Sequence, residues 1–259
     1  MDRLREPLPS RVEGLPELSP EASQLLTDGL GKLGLGDLPA AARRSLEDHL
    51  RLLMAWNAAI NLTAVRDPVE AVRRHILDSL VAVAALRDRG IDAFVDIGSG
   101  GGYPGLPLAA AVPARRVLLV DSVGKKARFL AAAAAATGLG SSVEAFAGRA
   151  ETLAADDRHR ERWPAVVARA VGSMAALAEL GLPLVARDGV LVAWKRGAID
   201  AELEAAGPAI AAVGGAPPIV IPAVHGIGLD DHRLVIVAKV RPTPADYPRD
   251  PAVRRRHPL

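Results

Sequence analysis

A glycine-dense run, Val95-Asp96-Ile97-Gly98-Ser99-Gly100-Gly101-Gly102-Tyr103-Pro104-Gly105, is followed by an apolar stretch, Val117-Leu118-Leu119-Val120, that ends at Asp121. The first reads as a strand that ends in a glycine turn and opens a helix. The second reads as the next strand, with a carboxylate at its end. Glycines let the backbone approach a ligand closely, and an acid one strand over accepts hydrogen bonds from ribose hydroxyls. Together they point to an adenosine cofactor held at Gly98, Gly100, Gly102 and Asp121.

Two glycine spacings compete for that cofactor. Gly98-x-Gly100-x-Gly102 is the spacing of a methyltransferase loop, and Gly100-x-Gly102-x-x-Gly105 matches the dinucleotide pattern. Position separates them. In a dinucleotide fold the first glycine follows the strand directly, because the pyrophosphate sits on the helix N-terminus. Here that match starts two residues late, Pro104 removes an amide donor, and Asp96 is a poor neighbour for two phosphates. A cationic sulfonium with an amino-acid tail tolerates the acid better. S-adenosyl-L-methionine is therefore favoured over NAD, and a purely structural turn is the bland alternative.

The elements that must position these residues change character along the chain. Residues 1–20 are rich in Pro, Glu and Arg without periodicity and predict a flexible lead. Helical spacing follows over 21–33 and 39–57, with Leu46, Leu50, Leu53 and Met54 on one stripe. Asp67 and Pro68 suit the cap and first turn of a further helix that runs to about Leu86 and carries His75, Asp78 and Ser79. From 91 to 241 strands and helices alternate. Strands are expected at 93–97, 116–121, 143–147, 165–169, 189–195, 217–222 and 233–240, and helices at 104–111, 124–136, 173–184 and 198–213. This is the grammar of a doubly wound, Rossmann-like α/β sheet of seven strands, the last inserted antiparallel. Residues 242–259 form a basic tail ending in Arg254-Arg255-Arg256. The organisation expected is thus a lead (1–20), a helical region (21–90), the sheet domain (91–241) and the tail (242–259).

Composition narrows the function. The chain has 259 residues, 50% of them hydrophobic but only 3% aromatic, so the core must be built mainly from Ala, Leu and Val. A formal net charge of +2 is compatible with a nucleic-acid partner without establishing one. The absence of cysteine excludes disulfides, zinc-thiolate sites, and RNA methyltransferases that attack a pyrimidine with a thiol. Neither a signal-peptide h-region nor an apolar run long enough to span a membrane is seen. The expectation is a cytoplasmic monomer with no membrane partner and no metal.

An ordered series of motifs ties these pieces together. It runs Asn61-Leu62-Thr63, His75-x-x-Asp78-Ser79-Leu80, the glycine loop through Pro107-Leu108-Ala109, Asp121-Ser122-x-x-Lys125-Lys126-x-x-Phe129-Leu130, Gly148-Arg149-Ala150-Glu151, Ala168-Arg169-Ala170-Val171 and Tyr247-Pro248-Arg249. As a set it resembles the glucose-inhibited division protein B family, the bacterial 16S rRNA guanine-N7 methyltransferases, over about residues 40–259. The resemblance implies a class I methyltransferase fold preceded by helices, with methyl transfer to N7 of a guanine in the 530 loop of 16S rRNA. It also implies cofactor contacts at Gly98, Tyr103, Ala150, Glu151 and Arg169, with Asp121 as ribose partner. Two departures stand out. Tyr103 replaces a common Phe, and Arg196 is inserted between Lys195 and Gly197, which puts any role of that loop in doubt.

The chemistry needs little from side chains. N7 of guanine carries an exposed lone pair and attacks a sulfonium methyl without prior deprotonation, so no general base is expected and no catalytic residue is assigned. Alignment and exclusion of water supply the acceleration. Adenine-N6 enzymes carry Asn/Asp-Pro-Pro-aromatic after the fourth strand, and Ala168-Arg169-Ala170-Val171 is not that motif. RNA contacts are assigned to His75, Lys125, Lys126, Arg254, Arg255 and Arg256. Lys125 and Lys126 sit in the first turn of a helix, where the macrodipole disfavours cations and an RNA phosphate would relieve them. Each residue has a plain reading: His75 packed and hydrogen-bonded, Glu151 a helix cap, Arg169 an ion-pair partner, the lysines solvated, the arginine run a loose tail. The rival functions are a small-molecule or protein methyltransferase on the same fold, an NAD-dependent oxidoreductase, and a non-catalytic RNA-binding module.

Overall fold

β-branched and leucine-rich runs form the strands, and their alternation decides which face each residue covers. The computed structural model describes residues 8–222, 226–257 and 259. Its strands are β1 (Ala93–Ile97), β2 (Arg116–Asp121), β3 (Val143–Ala147), β4 (Trp163–Arg169), β5 (Val185–Arg196), β6 (Ile219–Pro222) and β7 (His232–Ala238). They form one sheet in the order β3-β2-β1-β4-β5-β7-β6. The pairs from β3 across to β5 are parallel, and β7 runs antiparallel between β5 and β6. The antiparallel last strand is as the sequence predicts. Chain order reverses between β1 and β4, which opens a crevice at their carboxyl ends.

Helices cover both faces. They are α1 (Pro20–Lys32), α2 (Ala40–Ile60), α3 (Pro68–Ala71), α4 (Asp78–Leu80), α5 (Val83–Arg87), α6 (Gly105–Ala111), α7 (Gly124–Ala136), α8 (Ala150–Ala154), α9 (Met174–Gly181), α10 (Asp200–Ala212) and α11 (Pro251–Arg256). Phe94, Val117 and Leu119 point to one face and pack with Leu46, Leu50, Leu53 and Phe129. Their neighbours Val95, Leu118 and Val120 point to the other and pack with Leu177, Ala178 and Ile210. The amino-terminal helices therefore share a core with the sheet.

Several boundaries differ from expectation for physical reasons. The helix expected from Pro68 to Leu86 is broken by a π-helical turn at Val72–Leu77 and by a gap before α5. Its start is as expected, with Asp67 Oδ1 accepting from the Glu70 amide. β6 begins at Ile219 instead of 217, because Pro217 and Pro218 carry no amide hydrogen for the ladder. β5 begins four residues early, at Val185, and the β4–β5 register shifts between Trp163 and Ala165. α8 and α11 are too short to show a period.

The lead makes hydrogen bonds to the helical region where it is described. Residues 8–19 lie along α2: Trp56 Nε1 donates to Pro9 O (2.6 Å), and Arg51 donates to Leu15 O (2.6 Å) and Pro16 O (2.9 Å). Residues 1–7 fall outside the described residues. At the start of the tail, Arg160 donates to the carbonyls of Thr243, Pro244 and Tyr247. Among the described residues no helix is long and apolar enough to cross a membrane.

Candidate functional site

The glycine loop leaves β1 in a conformation that side chains resist. Gly98, Gly100 and Gly102 have φ of +73°, +57° and +86°. A Cβ on Gly98 would lie 2.7 Å from Val171, and one on Gly102 would lie 2.8 Å from His49 Nε2. At Gly100 the same atom would meet only Gly98 O, at 3.8 Å, so bare backbone faces open space there. The loop is held from β2. Asp121 accepts the Gly100 amide on Oδ2 (2.9 Å) and the Val123 amide on Oδ1 (2.8 Å). Each oxygen keeps a second lone pair.

Asp96 behaves differently from the sequence argument. It turns away from the cradle and is fully buried beneath α6, where Oδ2 accepts the Gly105 amide (2.9 Å). Burial pushes its carboxyl up to about 7. It locks the loop to the helix instead of bordering a ligand, so it no longer counts against a pyrophosphate; the two-residue offset and Pro104 still do.

Beside the loop, Tyr103 lies between two imidazoles, 4.3 Å from the His49 ring and 4.9 Å from the His75 ring. Burial brings His49 down to about 3 and His75 down to about 4, so both are neutral at pH 7. His75 Nε2 bonds Thr63 Oγ1 (2.8 Å), while the Tyr103 hydroxyl is buried without a partner among the described residues. Arg169, at the end of β4, stands over the Tyr103 ring at 5.6 Å. Its Nη1 donates to Asp78 Oδ2 (2.9 Å) and Arg74 O (2.9 Å). Among the described residues its Nε and Nη2 make no hydrogen bond. Asp78 Oδ1 bonds His232 Nδ1 (2.7 Å), and its carbonyl accepts from Trp194 Nε1 (2.7 Å). One aspartate from the helical region thus ties the ends of β4 and β5 to the start of β7.

These groups wall a cleft of about 460 Å³ at the carboxyl end of the sheet. Its lining mixes Val65 and Trp194 with His75 and the cations Arg74, Arg169 and Arg196. Lys195 also lines it, and besides Arg169 three of these cations are paired with acids: Lys195 with Glu202 (2.6 Å), Arg74 with Glu70 (2.9 Å) and Arg196 with Asp231 (3.4 Å). No cluster able to hold a metal occurs among the described residues.

A family model described as rRNA small subunit methyltransferase G, GidB, matches residues 42–225. The chain belongs to the GidB family. Among its relatives, the ribosomal RNA small subunit methyltransferase G of Roseiflexus castenholzii is 42% identical over 224 residues, 84% of this chain and 93% of that protein. The protein of the same name from Deinococcus radiodurans is 39% identical over 242 residues, covering 93% and 94%. A solved O-methyltransferase from Bacillus cereus, in complex with SAH, has a TM-score of 0.55 at 18% identity, covering 84% of this chain and 96% of that one. That likeness speaks for a class I methyltransferase fold alone.

The GidB residues expected at the site fall into four groups. Gly98, Gly100, Gly102 and Tyr103 form the loop after β1 that Asp121 latches, and Arg169, at the end of β4, lines the cleft and stands over Tyr103. Ala150 and Glu151 open α8, beside the Asp121 end of β2, and Glu151 is ion-paired to Arg254. Lys125 (exposed) and Lys126 (half-buried) occupy the first turn of α7. His75 lines the cleft, neutral and stacked on Tyr103. The arginine run divides: Arg255 and Arg256 are exposed, whereas Arg254 turns inward to Glu151.

Sequence reasoning misses His49, His232 and Trp194 as parts of the site. Asp78 stands in the motif His75-x-x-Asp78-Ser79, but nothing in that spacing discloses its role.

Proposed function

We propose that this GidB-family chain transfers a methyl group from S-adenosyl-L-methionine to N7 of a guanine in the 530 loop of 16S rRNA. The cofactor reading is supported by the open backbone at Gly100, latched by Asp121, and by Arg169 at the end of β4, whose Nε and Nη2 make no hydrogen bond among the described residues. That set fits an adenosine with an amino-acid tail. Free lone pairs on Asp121 accept from ribose hydroxyls, and Arg169 Nε and Nη2 meet a carboxylate. When bound, the cofactor supplies an electrophilic methyl on a positively charged sulfur.

The chain's own residues position and exclude. Asp78 holds Arg169 against the Tyr103 ring, at the border between the glycine loop and the cleft. The cleft accepts the target nucleotide, its apolar wall against the base and Arg74 and Arg196 at the phosphates. No side chain needs to take a proton, because N7 presents its lone pair directly. In-line alignment is worth roughly 7–11 kcal/mol in favourable cases. Lys125, Lys126, Arg255 and Arg256 extend the phosphate contacts, and the protein works as a cytoplasmic monomer.

The test is to incubate the protein with methyl-labelled cofactor and undermethylated small subunits or naked 16S rRNA. Cleavage chemistry selective for 7-methylguanosine then maps the product. A label on protein, on another base or outside the 530 loop contradicts the reading.

A further inference from the structure

The carboxyl-terminal segment is anchored before it reaches the cofactor side of the sheet. Arg249 grips Glu179 with a forked pair, Nε to Oε1 at 2.8 Å and Nη2 to Oε2 at 2.7 Å. Asp250 then caps α11 by accepting the Ala252 amide (2.7 Å). One turn on, Arg254 Nη2 pairs with Glu151 Oε1 in the first turn of α8. Both side chains are largely covered, at 15% and 17% exposure, and Arg254 Nε is buried without a partner among the described residues.

Glu151 stands four residues beyond the end of β3, where Ala147 pairs with Asp121. The Gly148 amide donates to Asp121 O (3.0 Å), so the Glu151 turn is tied to the strand end that holds the glycine loop. Oε1 of Glu151 is engaged by Arg254, and Oε2 makes no hydrogen bond among the described residues. An unpaired glutamate samples several rotamers, and a half-buried cation paired with it removes that freedom.

We propose that Arg254 is a positioning residue of the cofactor site. From the carboxyl-terminal helix it holds the Glu151 carboxylate where Oε2 accepts a hydrogen bond from the adenosine part of S-adenosylmethionine. The inference rests on the proposed cofactor, S-adenosyl-L-methionine, and on Glu151 being the cofactor contact that the family resemblance implies. It separates Arg254 from the two arginines that follow it, which face solvent.

The test is calorimetric titration of the full chain with S-adenosylhomocysteine. Arg254→Ala raises Kd about five- to tenfold, the size of one typical hydrogen bond. Arg254→Lys, which keeps the charge and a donor, recovers part of the loss, and Arg255→Ala leaves Kd unchanged. With Glu151→Ala already present, Arg254→Ala adds nothing further. In turnover assays it raises the cofactor KM with kcat little changed, a split that general destabilisation would not give. If Arg254→Ala fails to fold, Arg254→Gln carries the same comparison. An unchanged Kd, equal losses for Arg254→Ala and Arg255→Ala, or additive losses with Glu151→Ala would overturn the proposal. If the unaltered chain does not bind S-adenosylhomocysteine, the proposed function itself falls.

Discussion

Asp78→Ala removes the carboxylate shared by Arg169 and His232. The Asp78 side chain is 4% exposed, and its partners are 16% and 9% exposed. Exposed ion pairs contribute about 0–1 kcal/mol, but removing one partner of a buried pair costs about 3–5 kcal/mol, because the other charge is left desolvated. For a chain of this size each kcal/mol moves Tm by about 2–4 °C, so the expected fall is about 6–20 °C. Asp78→Asn keeps the shape and one acceptor but turns an amide donor toward the second partner, and should cost about 1.5–3 kcal/mol. Urea and thermal unfolding followed by circular dichroism measure both. Asp78→Ala should also raise the cofactor KM, because Arg169 Nη1 then keeps only its bond to Arg74 O among the described residues, and Asp78→Asn, which keeps one acceptor, should raise it less. A loss below about 1 kcal/mol for Asp78→Ala would refute the reasoning, since that is the range of a surface pair. So would a cycle with Arg169→Ala that shows no coupling.

Other outcomes follow from the loop, the buried rings and the basic turn. Gly98→Ala should destabilise through its +73° φ and its clash with Val171, whereas Gly100→Ala should fold with a smaller loss and still bind cofactor poorly, as calorimetry beside a melting curve will show. Between about pH 5 and 6, unfolding takes up protons at His49 and His75, whose folded values are depressed, so each contributes stability that is lost on acidification. Asp96 opposes them: its folded value is raised, and unfolding releases its proton in the same window. Asp96→Asn should therefore steepen the fall in urea stability toward low pH, and an unchanged slope would contradict the burial argument. Arg255→Ala with Arg256→Ala should weaken binding to 16S rRNA and reduce the salt dependence by about 0.7–0.9 for each phosphate no longer neutralised, leaving cofactor affinity intact.

How much of the molecule is legible in its sequence depends on how local each cause is. The glycine loop and Asp121 are legible because a tight turn and a strand-end acid are properties of neighbouring residues. β2, β3 and α7 begin and end where patterning places them. α8 is five residues long and never completes an amphipathic period, so patterning passes over it. The Arg169–Asp78 and His232–Asp78 contacts join residues 91 and 154 positions apart, and no spacing rule reaches across such separations. His49 reads as one more member of a helical stripe, yet it packs on Tyr103 because α2 lies over the loop. The arginine run is uniform in one dimension, but a single helical turn sends one member inward and two outward.

The scarcity of aromatic residues gives one of them an unexpected use. The chain contains only three tryptophans, and Trp194 forms part of the cleft wall with its indole N–H bound to the Asp78 carbonyl. Indole emission shifts with local polarity and hydrogen bonding. A version with phenylalanine at Trp56 and Trp163 would glow from that wall alone. Its colour would report arrival of a nucleotide in real time, without a label on either molecule.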